Sequence, residues 1–450
     1  MDELLASPAN GSPWGKTISQ QALVRSLFHF SEHRTKEGSA QKDAKIAKTR
    51  RRGAEAEAPA RVRPAAAGSF TYRSGYAPAS RPAKAGLAAH FDRNERYAYF
   101  GDRTLNLCIK VKRARYWIEW LLVSLSARLI PLMPFGLLRA ISKFAASLVF
   151  VFDTKSRAVA IANLETAYGS ELTPKQRSLI ARRSFQAFGK NFLELFWTPR
   201  LNRDNVEKYI SAEDPRRLRE LAESQTPFIA VTPHFGNIEL AGSFLGYKGK
   251  HCVVISQPLK NERLTPIARK LREAAGHKIV IPENAVVRLL KALRDGTSVF
   301  LFTDLTLKLR DSAVVIEEFG LKTRVTQLHA FLHLRTGIPI LPFVTLPRAD
   351  GGYQVRFLAE LRFASDTPYH EVTQACWNQF EPIIRSHPEY WLWVYKHWRY
   401  KPSAAIRPYP FYAKHSVQFD LEIESQEHPE RAKLLGEQIR EYAKWRRNNE

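Results

Sequence analysis

The sequence predicts an α/β protein with a mostly parallel central sheet and helices on both faces, preceded by a helical membrane-facing segment. Three observations support this prediction. Short apolar runs alternate with segments of helical periodicity between residues 228 and 344. Turn-forming Pro, Gly, Asn and Asp residues separate many of them. Two apolar, aromatic stretches lie ahead of this alternation, within residues 111–152. Strands that alternate with helices form parallel sheets, which need helices on both faces.

The boundaries of these elements follow from hydrophobic period and from capping residues. Strands are predicted at 228–231, 252–256, 278–281, 298–302 and 338–344, and a further strand at 353–361 could form an antiparallel edge. Helices are predicted at 156–168, 174–197, 238–245, 262–275, 285–294 and 325–335. Thr173 is a good N-cap, and Pro174 suits the first position of the helix that follows it.

The composition constrains the environment and the partners. A net charge of +25 indicates an anionic partner, such as a membrane surface, a phosphorylated lipid, an acyl carrier protein or nucleic acid. A solvated basic surface with a basic tail is the alternative. Three scattered cysteines do not form a disulfide framework, and no Cys/His cluster has metal-site spacing. A reducing compartment is the simpler reading.

Residues 1–110 are predicted to be a disordered basic extension. Between residues 34 and 63, ten Lys or Arg face four acids, and Ile46 and Val62 are the only aliphatic residues larger than Ala. Such a segment cannot bury enough apolar surface to offset its ordering entropy. Its start lacks the basic and apolar regions of a secretory signal. The basic run could bind nucleic acid or lipid headgroups, but its composition favours an extension without a defined partner.

Residues 111–152 are predicted to be membrane-facing helices. Two apolar pieces, 117–132 and 137–152, each fall short of about 18 uninterrupted apolar residues, the length that a spanning helix needs. Glu119 and Arg128 would be costly at the centre of a bilayer. We therefore expect an interfacial helix whose tryptophans lie at headgroup level. A buried hairpin of core helices and a single short transmembrane anchor are the alternatives.

A histidine and a carboxylate flank the turn after the first strand of the alternating region. His234 follows the strand at 228–231, and Glu239 opens the next helix. Open α/β sheets place their ligands at this end of the strands. If the helix folds back over the strand, Glu239 can accept a hydrogen bond from one imidazole nitrogen, and the other can take a proton from a substrate hydroxyl. The same spacing recurs at His90 and His415, but only His234 follows an apolar strand. In the alternative reading, His234 packs the turn and Glu239 is solvated.

The stretch Thr-Pro-His-Phe-Gly-Asn-Ile-Glu, residues 232–239, resembles the His-x4-acid block of the lysophospholipid acyltransferase superfamily. It is most similar to the branch that contains the bacterial lipid A late acyltransferases. Further blocks follow the family order at 156–168, 174–197, 288–304, 319–342 and 387–401, the last being an aromatic strand followed by basic residues. The resemblance spans roughly residues 115–402. It implies one acyltransferase domain at 111–405, followed by a charged tail at 406–450.

The resemblance also implies an activity. We expect transfer of a fatty acyl chain from acyl carrier protein or acyl-CoA to a hydroxyl of a lipid A-type glycolipid, in lipopolysaccharide biosynthesis. The expected place is the cytoplasmic face of a bacterial inner membrane. His234 would be the general base, and Glu239 would hold its imidazole in the productive tautomer. Neither a metal nor another cofactor is needed.

Five further positions are candidates for contacts with the substrate or with the oxyanion. Arg288 and Arg324 could clamp a phosphate of an anionic acceptor, since guanidinium groups match phosphate oxygens. Both could instead be ordinary helix-surface arginines, Arg324 more so than Arg288. Asp304 also follows a strand, so it lies on the same side of the sheet as His234 if the two strands run parallel, and it could orient the site or cap the next turn. A backbone N–H of Gly236 or Asn237 could stabilise the oxyanion.

The sequence departs from the family pattern at three positions. Leu305 stands where the family usually has Gln, Tyr395 where it often has His, and His397 where it often has Arg. Two other functions therefore compete with the first. One is acylation of another lipid, such as a lysophospholipid, an aminolipid or a glycolipid. The other is an inactive basic protein that binds membranes or nucleic acid. Nucleic-acid binding, which the resemblance does not favour, would weaken steeply with salt.

Overall fold

The structure is a computed structural model that describes residues 93–430 and Glu441, with only the helical backbone described for residues 93–110. The first 92 residues of the predicted disordered extension, and residues 431–440 and 442–450 of the predicted charged tail, therefore lie outside the described residues. Contacts divide the chain into two units, and residues 27–115 form one of them. Its described part is helical from Arg93. The fold below belongs to the other unit, from Tyr116 onwards.

Helices are the most abundant elements among the described residues. In chain order the described α-helices are α1 (Arg93–Leu129), α2 (Phe135–Phe152), α3 (Thr154–Tyr168), α4 (Pro174–Trp197), α5 (Val206–Tyr209), α6 (Pro215–Glu223), α7 (Ile238–Tyr247), α8 (Thr265–Glu273), α9 (Ala285–Arg294), α10 (Leu328–Thr336), α11 (Tyr369–Ser386) and α12 (Val417–Glu427). The predicted start of α4 is confirmed. Thr173 and Gln176 form a capping box, and Pro174 occupies the first turn.

Seven strands form the central sheet. The described strands are β1 (Ile210–Ala212), β2 (Ile229–Thr232), β3 (Cys252–Ile255), β4 (Lys278–Val280), β5 (Ser298–Phe302), β6 (Ala313–Glu318), β7 (Leu321–Thr326), β8 (Ile340–Pro347), β9 (Tyr353–Phe357), β10 (Tyr400–Lys401) and β11 (Lys414–His415). The order in the sheet is β1-β9-β8-β2-β5-β3-β4. Its one antiparallel pair joins β8 to β9, and the other neighbours are parallel. The predicted mostly parallel sheet is confirmed.

The sheet has a hydrophobic core on each face. Alternate residues of β2 point to opposite sides, so Ile229 and Val231 join one buried cluster while Phe228 and Ala230 join the other. The first cluster is covered by α3, α9, α10 and α11, and the second by α6, α7 and α8, while α4 contributes to both. The predicted helices on both faces are therefore confirmed, and the strands are buried runs because both their faces are covered.

The apolar segment, residues 117–152, forms two helices that keep much apolar surface exposed. On α2 the buried positions recur every four residues, at Leu138, Ser142, Ala146 and Phe150. This stripe packs against α4, where a Cβ at Gly189 would lie 2.6 Å from that of Ala146. The large exposed apolar side chains of the segment are Trp117, Ile118, Leu121, Leu122, Leu125, Leu129, Leu132, Leu137, Ile141, Phe144, Leu148, Val151 and Phe152. These helices are thus not a buried core hairpin.

By length and composition, α2 could cross a membrane. Its 18 residues have a mean hydropathy of 1.7, and 22% of them are buried in the structure. Among the described residues it is the one helix that meets both criteria.

Several parts of the chain differ from the sequence prediction, among them a hairpin and an aromatic stretch. The hairpin of β6 and β7, in antiparallel register from Ala313–Thr326 to Glu318–Leu321, was not predicted, and α10 begins only at Leu328. Residues 391–398 are irregular rather than an aromatic strand. Three tryptophans of that stretch are fully buried. Side chains from α3 and α4 hold its backbone, since Asn163 donates to the carbonyls of residues 393 and 395 and Ser184 donates to that of residue 391.

The described part of the predicted tail is packed against the domain. Phe419 on α12 is fully buried, and the Gln426 side chain pairs with both backbone groups of Val315 on the edge strand β6. Side-chain amides at such an edge occupy groups that could otherwise pair with another chain. The compact region therefore continues past residue 405, to α12.

Candidate active site

Two neighbouring parallel strands deliver the central pair of the site. β2 lies beside β5 in a register that sets Thr232 opposite Phe302. His234 follows the first strand by two residues, and Asp304 follows the second by two. The carboxyl ends of parallel strands meet at one edge, which is where open α/β sheets place ligands. The predicted placement of His234 and Asp304 on the same side of the sheet is confirmed.

The carboxylate of Asp304 contacts the histidine twice. Its Oδ1 lies 2.7 Å from Nδ1 of His234, and its Oδ2 accepts the backbone N–H of His234 at 2.8 Å. The indole Nε1 of Trp391 donates to the same Oδ2 at 2.9 Å. The imidazole also stacks on Phe302, with ring centroids 4.3 Å apart. Backbone, ring and carboxylate together fix the orientation of the imidazole, whose side chain remains 12% exposed.

Asp304 is ionised in this environment. Burial alone would raise the pKa of its carboxyl, but attraction to His234 and the hydrogen bonds from His234 lower the pKa below its usual value. His397 lies against the same residue, with its Nδ1 3.2 Å from the carbonyl oxygen of Asp304. Burial lowers the pKa of His397 to about 4, so this second imidazole is neutral at physiological pH.

Glu239 does not contact the imidazole through a hydrogen bond, and this part of the sequence prediction is wrong. The Glu239 carboxylate instead accepts two hydrogen bonds from Arg272, one from Nε at 3.0 Å and one from Nη2. Arg272 lies on α8, and its Nη1 donates to Ser256 at 3.1 Å, just beyond β3. Attraction to Glu239 raises the pKa of Arg272. The Glu239 side chain thus lies against α8, and Asp304 occupies the Nδ1 side of the imidazole in its place.

The turn between β2 and α7 is held from α4. Asn191 donates to the carbonyl oxygen of Gly236, and Glu194, one helical turn further on, accepts from the side chain of Asn237. Asn237 also caps α7 by accepting the N–H of Leu240 at 3.0 Å. The His234 loop is therefore fixed by a helix that lies far from it in sequence.

Glu194 is a fully buried carboxyl beneath this turn. Besides Asn237, its Oε2 accepts the hydroxyl of Tyr353 at 2.8 Å. Burial raises the pKa of Glu194, and nearby Lys190 opposes that rise. Donors on one oxygen and a cation nearby make this carboxyl a structural anchor beneath the turn.

The two arginines predicted to bind a phosphate, Arg288 and Arg324, differ in their exposure to solvent. Arg288 is exposed on α9. Arg324 is 3% exposed and is held by Glu422 and by backbone carbonyls, including that of Leu309 at 3.1 Å, so the structure contradicts its predicted role as a phosphate clamp. Arg324 is buried because α12 covers it, and sequence periodicity does not show that packing.

Of the two predicted oxyanion donors, Gly236 and Asn237, one remains a candidate. The N–H of Gly236 donates to the carbonyl oxygen of Tyr390 at 2.9 Å, which removes it as an oxyanion donor. Asn237 remains a candidate through its backbone N–H, since its buried side chain is used by the cap and by Glu194.

Sequence reasoning missed Arg272 and Trp391. Arg272 fell inside the predicted helix 262–275, and the only available signal was one more cation on a basic helix face. Trp391 fell inside the block predicted as an aromatic strand, which gave no signal for a contact with Asp304. No group of three or more His, Cys, Asp or Glu side chains in the described part of the chain could hold a metal ion.

Comparisons with known proteins bear on this site. The sequence model of the family described as bacterial lipid A biosynthesis acyltransferase matches residues 107–400. A phosphatidylinositol mannoside acyltransferase of Mycolicibacterium smegmatis is 24% identical over 224 residues, which cover 49% of this chain and 72% of that protein. Its counterpart from Mycobacterium tuberculosis is 25% identical over 225 residues, covering 48% and 69%.

A solved structure also matches part of the chain. The 1-acyl-sn-glycerophosphate (LPA) acyltransferase PlsC from Thermotoga maritima covers 56% of this chain and 99% of its own, at 13% identity and a TM-score of 0.29. That score is too low to bear on the fold. The family match, by contrast, includes every strand of the central sheet, His234, Asp304 and Trp391. Because it extends over more than half of the sequence, the chain belongs to the bacterial lipid A biosynthesis acyltransferase family and is an acyltransferase that acts on lipids.

Proposed function

We propose that the protein transfers a fatty acyl group from a thioester of acyl carrier protein or CoA to a hydroxyl of a lipid A-type glycolipid. The observation that carries this proposal is the pair formed by His234 and Asp304. Its 2.7 Å contact lies at the carboxyl edge of the sheet, with the imidazole partly open to solvent. A histidine oriented by a buried carboxylate is the arrangement that general-base chemistry at a hydroxyl requires.

The tautomer of His234 follows from its partner. A carboxylate can only accept, so Nδ1 carries the proton and donates to Asp304, and Nε2 keeps its lone pair. Nε2 takes the proton of the acceptor hydroxyl as its oxygen attacks the thioester carbonyl. The tetrahedral intermediate then collapses, the carbon–sulfur bond breaks, and the imidazolium returns the proton to the leaving thiolate. The products are the new ester and a free thiol.

Asp304 stabilises the charge that appears during this step. When Nε2 takes the proton, the imidazolium lies against an ionised carboxylate that is already buried and oriented. Such a preorganised group does not need to reorient during the reaction. The backbone N–H of Asn237 is the proposed oxyanion donor, since that of Gly236 is used elsewhere.

Glu239 keeps a place in the proposed site through Arg272. Their ion pair lies beyond β2 and β3, with side chains that are 15% and 32% exposed, so both are open to a polar acceptor. We assign this pair to the hydroxyl and phosphate groups of an anionic acceptor lipid. Arg288, exposed on α9, is a second proposed phosphate contact.

The acceptor class is supported by the names of the relatives. The family is described by lipid A, and the two curated relatives by phosphatidylinositol mannoside. Both are lipids that carry sugars, so a sugar hydroxyl is the shared acceptor chemistry. A mannosylated phospholipid is therefore the second candidate, and the mass of the product distinguishes it from a lipid A-type acceptor.

The apolar segment supports action at a membrane surface. Its exposed side chains include Trp117, which is 52% exposed, and Phe144, which is 67% exposed. Tryptophans beside a basic flank suit the headgroup region of an anionic bilayer. We propose that the protein works at the cytoplasmic face of a bacterial inner membrane, where acyl thioesters are soluble and the acceptor is anchored.

The first experiment measures transfer directly. Wild type, His234→Ala, Asp304→Asn and Glu239→Ala are reconstituted with anionic vesicles, acyl carrier protein or CoA thioesters, and a bacterial lipid extract, and products are identified by mass spectrometry. We expect a new acylated lipid that disappears in His234→Ala. Asp304→Asn should lower kcat on the order of a thousandfold or more, because the wrong tautomer is favoured. Glu239→Ala should reduce turnover with a rise in KM for the acceptor.

A matched control comes from the protein surface. His415 and Asp420 form a similar pair at 2.8 Å, with a histidine that is 46% exposed. His415→Ala should leave transfer unchanged. Wild type that transfers no chain from either donor to any lipid of the extract would contradict the proposal.

A further inference from the structure

Asp304 has a third hydrogen-bond donor that the reaction above does not use. Its Oδ1 serves the imidazole of His234, while its Oδ2 receives the backbone N–H of that residue and the indole N–H of Trp391. The backbone N–H lies in the same loop as the ring that must be oriented. Trp391 is therefore the partner that fixes the carboxylate from outside the loop.

Trp391 is itself held on several sides. It is fully buried, and its carbonyl oxygen accepts the hydroxyl of Ser184 at 2.7 Å. Its backbone forms a β-bridge with Phe235, the residue after the histidine. Its ring stacks on His397 at a centroid distance of 4.0 Å and meets Trp393 edge-on at 4.6 Å. A tryptophan fixed in this way can aim its single donor at one oxygen.

The presence of tryptophan rather than phenylalanine at position 391 is informative. Phenylalanine would fill most of the same space, since the stacking surface is that of a ring. What tryptophan adds is one N–H, and that N–H is directed at the carboxylate of the pair. A buried indole N–H needs an acceptor, but a backbone carbonyl would serve, as Pro388 does for Trp393 at 2.6 Å.

We propose that Trp391 is a positioning residue, whose indole N–H holds the Asp304 carboxylate in the orientation in which it receives the His234 imidazole. This inference rests on the proposed function of that pair. Without the indole donor, the Asp304 carboxylate can rotate, and its negative charge is stabilised by one hydrogen bond fewer. The imidazole then loses its fixed tautomer and its alignment with the acceptor hydroxyl.

The test compares two tryptophans of one aromatic cluster. Trp391→Phe and Trp393→Phe each remove one indole N–H from a fully buried ring, but only the first faces Asp304. In the transfer assay, we expect Trp391→Phe to lower kcat on the order of ten- to a hundredfold with little change in KM. Trp393→Phe should retain kcat within about threefold, because it alters packing and a carbonyl contact alone. Thermal unfolding of both variants measures the shared effect on stability.

The pH profile provides a second readout. A carboxylate that has lost a donor attracts the imidazolium more strongly, so the acid limb of kcat/KM should move to higher pH in Trp391→Phe and stay in place in Trp393→Phe. The other titratable groups coupled to Asp304 are His397, Tyr395 and Glu318, and neither variant removes them. Equal losses of kcat in the two variants, with unchanged profiles, would overturn the inference in favour of simple packing.

A third measurement does not depend on turnover. The ¹⁵N shifts of the His234 imidazole report its tautomer, and we expect the Nδ1–H form in wild type and a mixture in Trp391→Phe. If that variant fails to fold, a tryptophan analogue with sulfur in place of the indole N–H keeps the ring shape and removes the donor. A tautomer that stays unchanged in either protein would refute the role of Trp391. If the wild-type protein transfers no acyl chain at all, that result would instead count against the proposed function.

Discussion

Buried carboxyls in this protein differ in what surrounds them. Asp304 has three donors, and its pKa falls below the usual value. Glu318, which is also fully buried, has no hydrogen-bond partner on either carboxylate oxygen among the described residues. Burial raises the pKa of Glu318 well above its usual value, and the charges of Asp304 and Glu381 raise it further. Asp304 is therefore ionised, whereas Glu318 keeps its proton inside the core.

Replacing Glu318 should remove a pH-dependent loss of stability. In the unfolded chain this carboxyl ionises above a pH of about 4.3, whereas in the folded state it stays neutral to much higher pH. Folding stability therefore falls as pH rises through that window. At pH 8 we expect Glu318→Gln to unfold at a higher temperature than wild type, because each unit of pKa difference between the folded and unfolded states costs the wild type about 1.4 kcal/mol of stability. The advantage should shrink towards pH 4.

The control for this change lies on the same strand. Glu317 is exposed on β6, so Glu317→Gln makes the same chemical substitution without desolvation. It should leave the pH dependence of the unfolding temperature as in wild type. If Glu318→Gln gains nothing between pH 4 and pH 8, then Glu318 is not held neutral in the folded protein.

At the scale of elements, the turn between β2 and α7 sets the site. Gly236 adopts φ of +64°, and a Cβ there would lie 1.8 Å from the carbonyl oxygen of Thr345 on β8. Only glycine permits both the left-handed backbone and this approach. The turn therefore stays close to the sheet, and His234 reaches the edge where Asp304 lies.

Gly236→Ala should destabilise the protein more than the backbone angle alone explains. Gly249 provides the comparison, since its φ is +86° and a Cβ there meets nothing within 4 Å. We expect Gly249→Ala to cost about 1 kcal/mol, and Gly236→Ala about 3 kcal/mol or more, because β8 or the turn must move. Transfer activity should fall in Gly236→Ala alone. Denaturant unfolding measures both costs, and equal values would show that the contact with Thr345 is relieved without penalty.

At the scale of the whole molecule, charge and apolar surface both indicate a membrane. The sequence carries a net charge of +25, and the apolar segment keeps thirteen large apolar side chains exposed. Exposed patches of this kind mark interaction sites. Electrostatic attraction to anionic lipid and burial of these side chains in the interface would add to one another.

Charged substitutions in the apolar segment should release the protein from vesicles. Leu121 and Phe144 are 60% and 67% exposed, so glutamates at both positions should leave the fold intact. Each lost apolar side chain weakens membrane binding by about 1.5–3 kcal/mol. We expect the double variant to bind anionic vesicles at least tenfold more weakly in flotation assays. Phe411→Glu is the control, because Phe411 is 70% exposed in a different part of the chain. Equal binding by wild type and the double variant would exclude the apolar segment as the membrane contact.

Local patterns in the sequence determined much of the architecture. Apolar runs bounded by turn residues predicted β2, β3, β4, β5 and β8, and Thr173 with Pro174 predicted the start of α4. These features depend on residues that are neighbours in sequence. The position of His234 at the carboxyl end of a strand belongs to the same class, and so does the exposed apolar segment.

Only the tertiary structure decided which side chains meet. The sequence offered Glu239, five residues away, as the partner of His234, whereas the fold supplies Asp304 from seventy residues away because β2 and β5 are parallel neighbours. The sequence was compatible with Arg324 as a surface arginine, whereas in the fold α12 covers it and supplies Glu422 as its partner. Strand order and helix packing arise from the whole core and leave no local period, so the pairs of the site could not be read from spacing alone.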